Sequence, residues 1–80
     1  MKKEIRKYIE DCYKTIVVND IALEGDYLYL KCEVYKKGTP EKVAVKVLKT
    51  FKDIRVVHFV GGEMEEVYTK DTLQWLGYNI

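Results

Sequence analysis

The chain has 80 residues, of which 48% are hydrophobic and 34% are charged, with a single proline. This composition excludes a disordered tail, so we expect one compact domain over residues 1–80. No apolar stretch approaches the roughly 18 residues of a membrane-spanning helix. Fourteen Lys and Arg residues against thirteen Asp and Glu give a net charge of +1, far from the strongly basic charge of a general nucleic-acid-binding protein.

The first predicted element is an amphipathic helix from Lys2 to about Lys14. The apolar or thiol side chains of one helical face are Ile5, Tyr8, Ile9 and Cys12. The β-branched and apolar residues 15–23 then predict a strand, and Glu24-Gly25-Asp26 predicts a turn after it. We therefore expect an antiparallel hairpin between residues 15–23 and the segment that follows the turn.

Residues 26–37 have the clearest pattern in the chain, because apolar and polar side chains alternate strictly. One side of the predicted strand carries Leu28, Leu30, Cys32 and Val34. The other side carries Tyr27, Tyr29, Lys31, Glu33 and Tyr35. Since side chains alternate between the two faces of a strand, we expect the first side to be buried and the second to stay open or to contact a partner.

Residues 40–51 fit two structures. Val43, Val45 and Val47 alternate, which favours a third strand returning antiparallel after a turn at residues 37–40. A helix is the alternative, because Thr39 and Pro40 suit a helix start and apolar side chains from Val43 to Phe51 share one helical face.

The next predicted hairpin joins a strand over residues 54–60 to residues 64–69 through the turn Gly61-Gly62. Glycines allow the positive φ angles that such a turn requires. A single helix over residues 63–76 is the competing interpretation.

A short helix is expected after this hairpin, beginning at Asp71 and ending at Gly77. We expect Leu73 and Leu76 to face inward, and we favour a core position for Trp75 over an exposed position in an interface. The predicted fold class is thus α+β: an antiparallel, curved meander sheet of four or five strands, with the N-terminal helix and the short C-terminal helix on one face. The other face stays open unless a second copy covers it.

The strongest functional candidate is the outward side of the second predicted strand. We expect an aromatic and cationic surface there, formed by Tyr27, Tyr29, Lys31 and Tyr35, with Lys42 and Lys46 across the predicted hairpin. Tyrosines are enriched in protein interfaces, so the expected partner is a second copy of the chain, as a homodimer, or another protein. Single-stranded nucleic acid is the alternative partner, because bases stack on tyrosines and basic residues concentrate between Lys31 and Arg55. Packing for stability alone explains the same pattern.

Few residues suggest catalysis. His58 is the only histidine, and its apolar neighbours favour a packed ring with a partnered nitrogen over a general base. The chain has no serine, and Cys12 and Cys32 are both expected to be buried, without the spacing of a disulfide or metal motif. The carboxylates Glu63, Glu65, Glu66 and Asp71 match no metal loop and are interpreted as a solvated edge, with Glu66 pointing away from the first two. We therefore predict no catalytic residue, metal or cofactor.

The resulting hypothesis is a small, non-enzymatic binding module, of the kind found among accessory or inhibitor proteins of mobile elements. Residues Met1 to Glu4 are charged and lack the apolar core of a signal peptide, so we expect a cytoplasmic protein that does not bind membranes. Many Lys and Glu residues with few amides indicate a thermophilic source.

Overall fold

The computed structural model of the chain describes residues 1–80 and contains one four-stranded sheet and three helices. In chain order the elements are α1 (Lys2–Cys12), β1 (Ile16–Glu24), β2 (Tyr27–Val34), α2 (Thr39–Thr50), β3 (Val56–Gly61), β4 (Met64–Thr69) and α3 (Lys70–Trp75). The strands lie in the order β1-β2-β3-β4. The α+β class, the four strands and the two terminal helices are confirmed. No helix is long and apolar enough to cross a membrane.

Residues 39–50 form α2, so the strand favoured for this segment was wrong and the helix alternative is confirmed. Val43, Val47 and Leu48 are fully buried at helical spacing. Burying each such side chain contributes about 1.5–3 kcal/mol, which exceeds the few tenths by which valine disfavours a helix. Because α2 connects β2 to β3, these central strands pair in parallel, whereas β1·β2 and β3·β4 are antiparallel hairpins.

All three helices pack on the same face of the sheet, around one hydrophobic core. Ile5 and Ile9 come from α1, and Leu73 comes from α3. The sheet contributes the predicted inward side of β2, including Leu28 and Leu30, both fully buried. The sequence interpretation of β2 is therefore confirmed on its buried side, and the opposite face of the sheet carries no helix.

A bulge in β1 explains why its apolar residues do not alternate evenly. The register shifts between Val18 and Asp20, so that Val18 lies opposite Cys32 whereas Ile21 lies opposite Leu30. The extra residue moves Ile21 onto the core face, where strict alternation from Val18 would have placed Asp20. As a result, Asp20 lies on the uncovered face.

The second hairpin is confirmed, and the single helix over residues 63–76 was wrong. Gly61 is required where the two hairpins meet, because a Cβ atom at this position would lie 2.0 Å from the carbonyl oxygen of Cys32. Gly62 has a φ of +56°, which favours glycine in the turn.

The end of the chain differs from the prediction in detail. Thr69, not Asp71, caps α3, because its Oγ1 accepts a hydrogen bond from the Thr72 amide. Leu73 is buried as expected, but Trp75 is 87% exposed and Leu76 is 51% exposed. The core position expected for Trp75 was wrong; the chain turns at Gly77, and Tyr78 and Ile80 of the tail pack against the core instead.

Candidate functional site: the open face of the sheet

The face of the sheet that carries no helix, here called the open face, collects side chains from all four strands. The strand registers place the following residues on it: Val17, Asp20, Ala22 and Glu24 of β1; Tyr27, Tyr29, Lys31 and Glu33 of β2; Val56, His58 and Val60 of β3; and Glu65, Val67 and Thr69 of β4. The predicted site residues Tyr27, Tyr29 and Lys31 thus lie next to one another on this face, at every second position of the central strand β2.

His58 of β3 lies at the centre of the open face, and its side chain forms hydrogen bonds to residues of β2 and β4. Its Nδ1 lies 2.6 Å from the Tyr27 hydroxyl, and its Nε2 lies 2.8 Å from Oε2 of Glu65. The Glu65 carboxylate accepts the Nε2 hydrogen, so in the neutral ring Nδ1 accepts the hydrogen bond from Tyr27. Tyr29, directly opposite His58 in the register, packs its ring against the imidazole with 5.1 Å between centroids.

These contacts make His58 the packed, hydrogen-bonded residue that the sequence indicated, since its side chain is only 15% exposed. A carboxylate that orients an imidazole toward a hydroxyl is also the arrangement that activates nucleophiles in enzymes. Here the hydroxyl belongs to Tyr27, a half-exposed residue of the sheet surface. The contacts therefore hold Tyr27 and Tyr29 in fixed orientations on the surface.

Apolar side chains extend this surface to both edges of the sheet. Val17 on β1 is 40% exposed, and Val67 on β4 is 47% exposed. Tyr27 lies between these edges and is 37% exposed. Val67 and Tyr27 flank the ring of His58, whereas Val17 lies opposite Glu33 at the far end of β1. All three lie on strands rather than on loops.

The open face is acidic, which the sequence did not indicate. Its four carboxylates outnumber one ammonium group: Asp20, Glu24, Glu33 and Glu65 against Lys31. The bulge in β1 is responsible for part of this charge, because it directs Asp20 toward Lys31 on this face. Strict alternation of side chains along β1 would have placed Asp20 on the covered face.

Lys42 and Lys46 do not join the tyrosines, so the expectation that they lie across a hairpin was wrong. Both are exposed residues of α2, which packs on the covered face of the sheet. Tyr35 lies just beyond the end of β2 and is 65% exposed. It lies six positions after Tyr29 in the sequence, which corresponds to about 20 Å along a strand. The compact part of the predicted site is therefore Tyr27, Tyr29 and Lys31.

The acidic residues of β4 divide between the two faces, as predicted. Glu65 binds His58, whereas Glu66 lies on the covered side and accepts a hydrogen bond from the Tyr68 hydroxyl. This bond and burial raise the pKa of Tyr68 above its ordinary value, with burial as the larger cause. No group of three or more His, Cys, Asp or Glu side chains is arranged to hold a metal ion. The role of Glu65 as a partner of His58 could not be read from its position in the sequence, because the two residues meet only after β3 and β4 pair.

The two thiols also differ from each other. Cys32 is buried as predicted, and burial, followed by the nearby Glu66 carboxylate, raises its pKa from 9.0 to about 11. The thiolate is the nucleophilic form, so Cys32 is unreactive near neutral pH. Cys12 is exposed, and its predicted burial was wrong, because Ile5 and Ile9 alone form the buried stripe of α1.

Comparison of the chain with protein-family models, with curated proteins and with solved structures gave no match. The open face itself combines fixed tyrosines, exposed aliphatic groups and an excess of carboxylates.

Proposed function

We propose that the protein is a non-enzymatic binding module that uses the open face to dock onto a basic surface of another protein. The observation that carries this proposal is the asymmetry of the sheet: three helices cover one face, while the other keeps Tyr27, Val17 and Val67 exposed. Exposed apolar groups on a rigid face, surrounded by charged groups, are typical of protein interaction sites.

The tyrosines are suited to act as anchors. Tyr27 is held by its hydrogen bond to His58, and Tyr29 by its ring contact with the same residue. Side chains that are already ordered lose less conformational entropy when a partner binds, which favours affinity. Aromatic anchors also dominate the energy of many protein interfaces.

The charge of the open face supports a basic protein over nucleic acid. Four carboxylates against Lys31 repel phosphates and attract Lys and Arg side chains. Lys42 and Lys46, which the sequence predicted beside the tyrosines, lie on α2 at the other side of the sheet. Lys52 and Arg55 of the same basic stretch line a cleft at the end of the sheet, together with Asp26 and Asp71. The charge of the open face itself therefore favours a basic protein over single-stranded nucleic acid.

The same charge argues against face-to-face homodimers. A two-fold symmetric contact would bring the four carboxylates of each copy toward those of the other, with only Lys31 to offset them. Like charges in close contact destabilise an interface. We therefore assign the open face to a different protein and expect the purified chain to be monomeric.

Selection from a random peptide library displayed on phage tests the proposal. Peptides enriched on the parent protein should combine Lys or Arg with aromatic or aliphatic residues. The variant Tyr27→Ala/Tyr29→Ala should bind a selected peptide at least tenfold more weakly, a loss of about 1.4 kcal/mol or more. The matched control, Lys42→Ala/Lys46→Ala on α2, should bind as the parent does.

Two results would contradict the proposal. One is enrichment of acidic peptides, or of peptides that bind the tyrosine variant as tightly as the parent. The other is a dimeric mass for the parent that Tyr27→Ala/Tyr29→Ala converts to a monomer, which would assign the face to a second copy. Titration with a labelled single-stranded oligonucleotide at low and high salt covers the alternative partner, and we expect no binding at low salt.

A further inference from the structure

A polar cleft lies at the end of the sheet next to the open face, to which its lining residues Val56 and Thr69 also belong. It has a volume of about 560 Å³, within the range of small-molecule sites. Three chain segments form its walls: the turn between β1 and β2 at Asp26, residues 52–56 after α2, and the junction of β4 with α3 at residues 69–71.

Backbone hydrogen bonds fix the walls of this cleft. The amides of Arg55 and Val56 both donate to the carbonyl oxygen of Asp26, at 2.8 and 3.2 Å. On the opposite wall, the Thr69 hydroxyl oxygen accepts from the Thr72 amide at 3.1 Å. The cleft is therefore present before any ligand arrives.

Positive charge in the cleft is only partly compensated. Lys52, Arg55 and Lys70 line it together with the carboxylates of Asp26 and Asp71. Arg55 lies 3.9 Å from Asp26, whereas neither lysine forms a salt bridge. Three cationic groups against two carboxylates leave the cleft with a net charge of +1, which favours an anionic ligand. Val56 is the only apolar residue of the lining, so an apolar ligand finds little surface to cover.

We propose that this cleft binds a small phosphate monoester that also carries hydroxyl groups, such as a sugar phosphate. The phosphate is the chemistry that Lys52, Arg55 and Lys70 recognise together, because it offers several charged acceptor oxygens to three cationic donors. Asp26 and Asp71 accept hydrogen bonds from the hydroxyl groups, which a bare anion cannot donate. The same carboxylates disfavour a polyanion such as nucleic acid, which would bring several phosphates close to them.

Titrations followed by two-dimensional NMR of the full chain test this assignment with three probes: ribose 5-phosphate, inorganic phosphate and ribose. Ribose 5-phosphate is expected to shift the amides of residues 26, 52–56 and 69–71, and to bind about tenfold more tightly than inorganic phosphate. Ribose alone should produce no shifts. Lys52→Gln/Lys70→Gln should weaken ribose 5-phosphate binding at least about tenfold, whereas the matched control Lys49→Gln, on the exposed side of α2 and outside the cleft, should not.

A variant of Asp71 tests the role of the carboxylates separately from that of the lysines. Asp71→Asn should weaken binding of ribose 5-phosphate and leave or improve binding of inorganic phosphate. The assignment is overturned if ribose 5-phosphate binds no more tightly than phosphate, if the shifts spread over the lysines of α2, or if Lys52→Gln/Lys70→Gln binds like the parent. Unchanged amide signals in the core residues of each variant establish that it is folded.

Discussion

The two faces of the sheet are stabilised in different ways. The covered face packs Leu28, Val57 and Phe59 against three helices with full burial. The open face instead carries side-chain hydrogen bonds, which run from Glu65 through His58 to Tyr27 and from Asn19 to Glu33. Apolar burial contributes most of the folding free energy, whereas exposed hydrogen bonds contribute about 1 kcal/mol each. Substitutions on the open face should therefore cost much less stability than substitutions on the covered face.

The largest effect on the free energy of unfolding is expected when one side chain on each face is truncated and the two losses are compared. Phe59→Ala should lower the free energy of unfolding by about 3–5 kcal/mol, because it leaves a cavity between the sheet and the helices. Val67→Ala on the open face should change it by less than about 0.5 kcal/mol. Urea unfolding followed by circular dichroism measures both values. Similar losses for the two variants would show that the open face is covered in solution.

Alkaline pH should destabilise the covered face. The pKa of Cys32 is raised from 9.0 to about 11 by burial and then by Glu66, and the pKa of Tyr68 is raised as well. A raised pKa in the folded state gives a contribution that is fully present below the unfolded pKa and is lost as the pH rises through the folded value. The free energy of unfolding should thus fall between about pH 9 and 11, by on the order of 2 kcal/mol for Cys32. Unfolding curves measured across this range should be flatter for Cys32→Ala, and an equally steep fall in that variant would exclude the thiol as the cause.

A smaller effect is expected from the hydrogen bonds of the open face. Tyr27→Phe removes the donor to Nδ1 of His58 and should cost about 0.5–1.5 kcal/mol. Tyr35→Phe is the matched control, since Tyr35 is 65% exposed and its hydroxyl forms no hydrogen bond within the chain. Thermal unfolding compares the two, and the imidazole nitrogen signals of His58 should shift in Tyr27→Phe alone. Equal stability of the two variants would mean that the bond between Tyr27 and His58 does not form in solution.

The reactivity of the two thiols reports on their exposure and perturbs the protein least. Iodoacetamide at about pH 8 should modify exposed Cys12 rapidly and leave buried Cys32 unmodified, because little of Cys32 is thiolate at that pH. Mass spectrometry should find one added group on the folded protein and two in denaturant. Modification of Cys32 at a rate close to that of Cys12 would contradict a rigid covered face.

Local pattern was enough to predict much of the fold. In β2, alternation with a period of two assigns each residue to a face wherever the strand lies, so Leu28, Leu30 and Cys32 were placed correctly in the core. The same holds for the turn at Gly61-Gly62, whose backbone requirement is local. Tyr27, Tyr29 and Lys31 followed from β2 and were also placed correctly.

Residues 43–48 show why local pattern was not enough elsewhere. Val43, Val45 and Val47 satisfy the period of a strand, while Val43, Val47 and Leu48 satisfy that of a helix. The chain adopts the helix because that face then packs into the core against β3 and β4, a gain that depends on distant residues. Because residues 39–50 form a helix, Lys42 and Lys46 lie on α2 and not beside the tyrosines of β2.

The α+β class, the first helix, the four observed strands and the two faces of β2 could be predicted from the sequence, because periodicity and turn residues act over a few neighbouring positions; a further strand was expected where α2 forms. The parallel pairing of β2 with β3, the meeting of Glu65 with His58, the acidic open face and the cleft lined by Lys52 and Lys70 came from the tertiary structure. Each of these depends on contacts between residues far apart in the chain, and the energy of such contacts exists only once the core has formed.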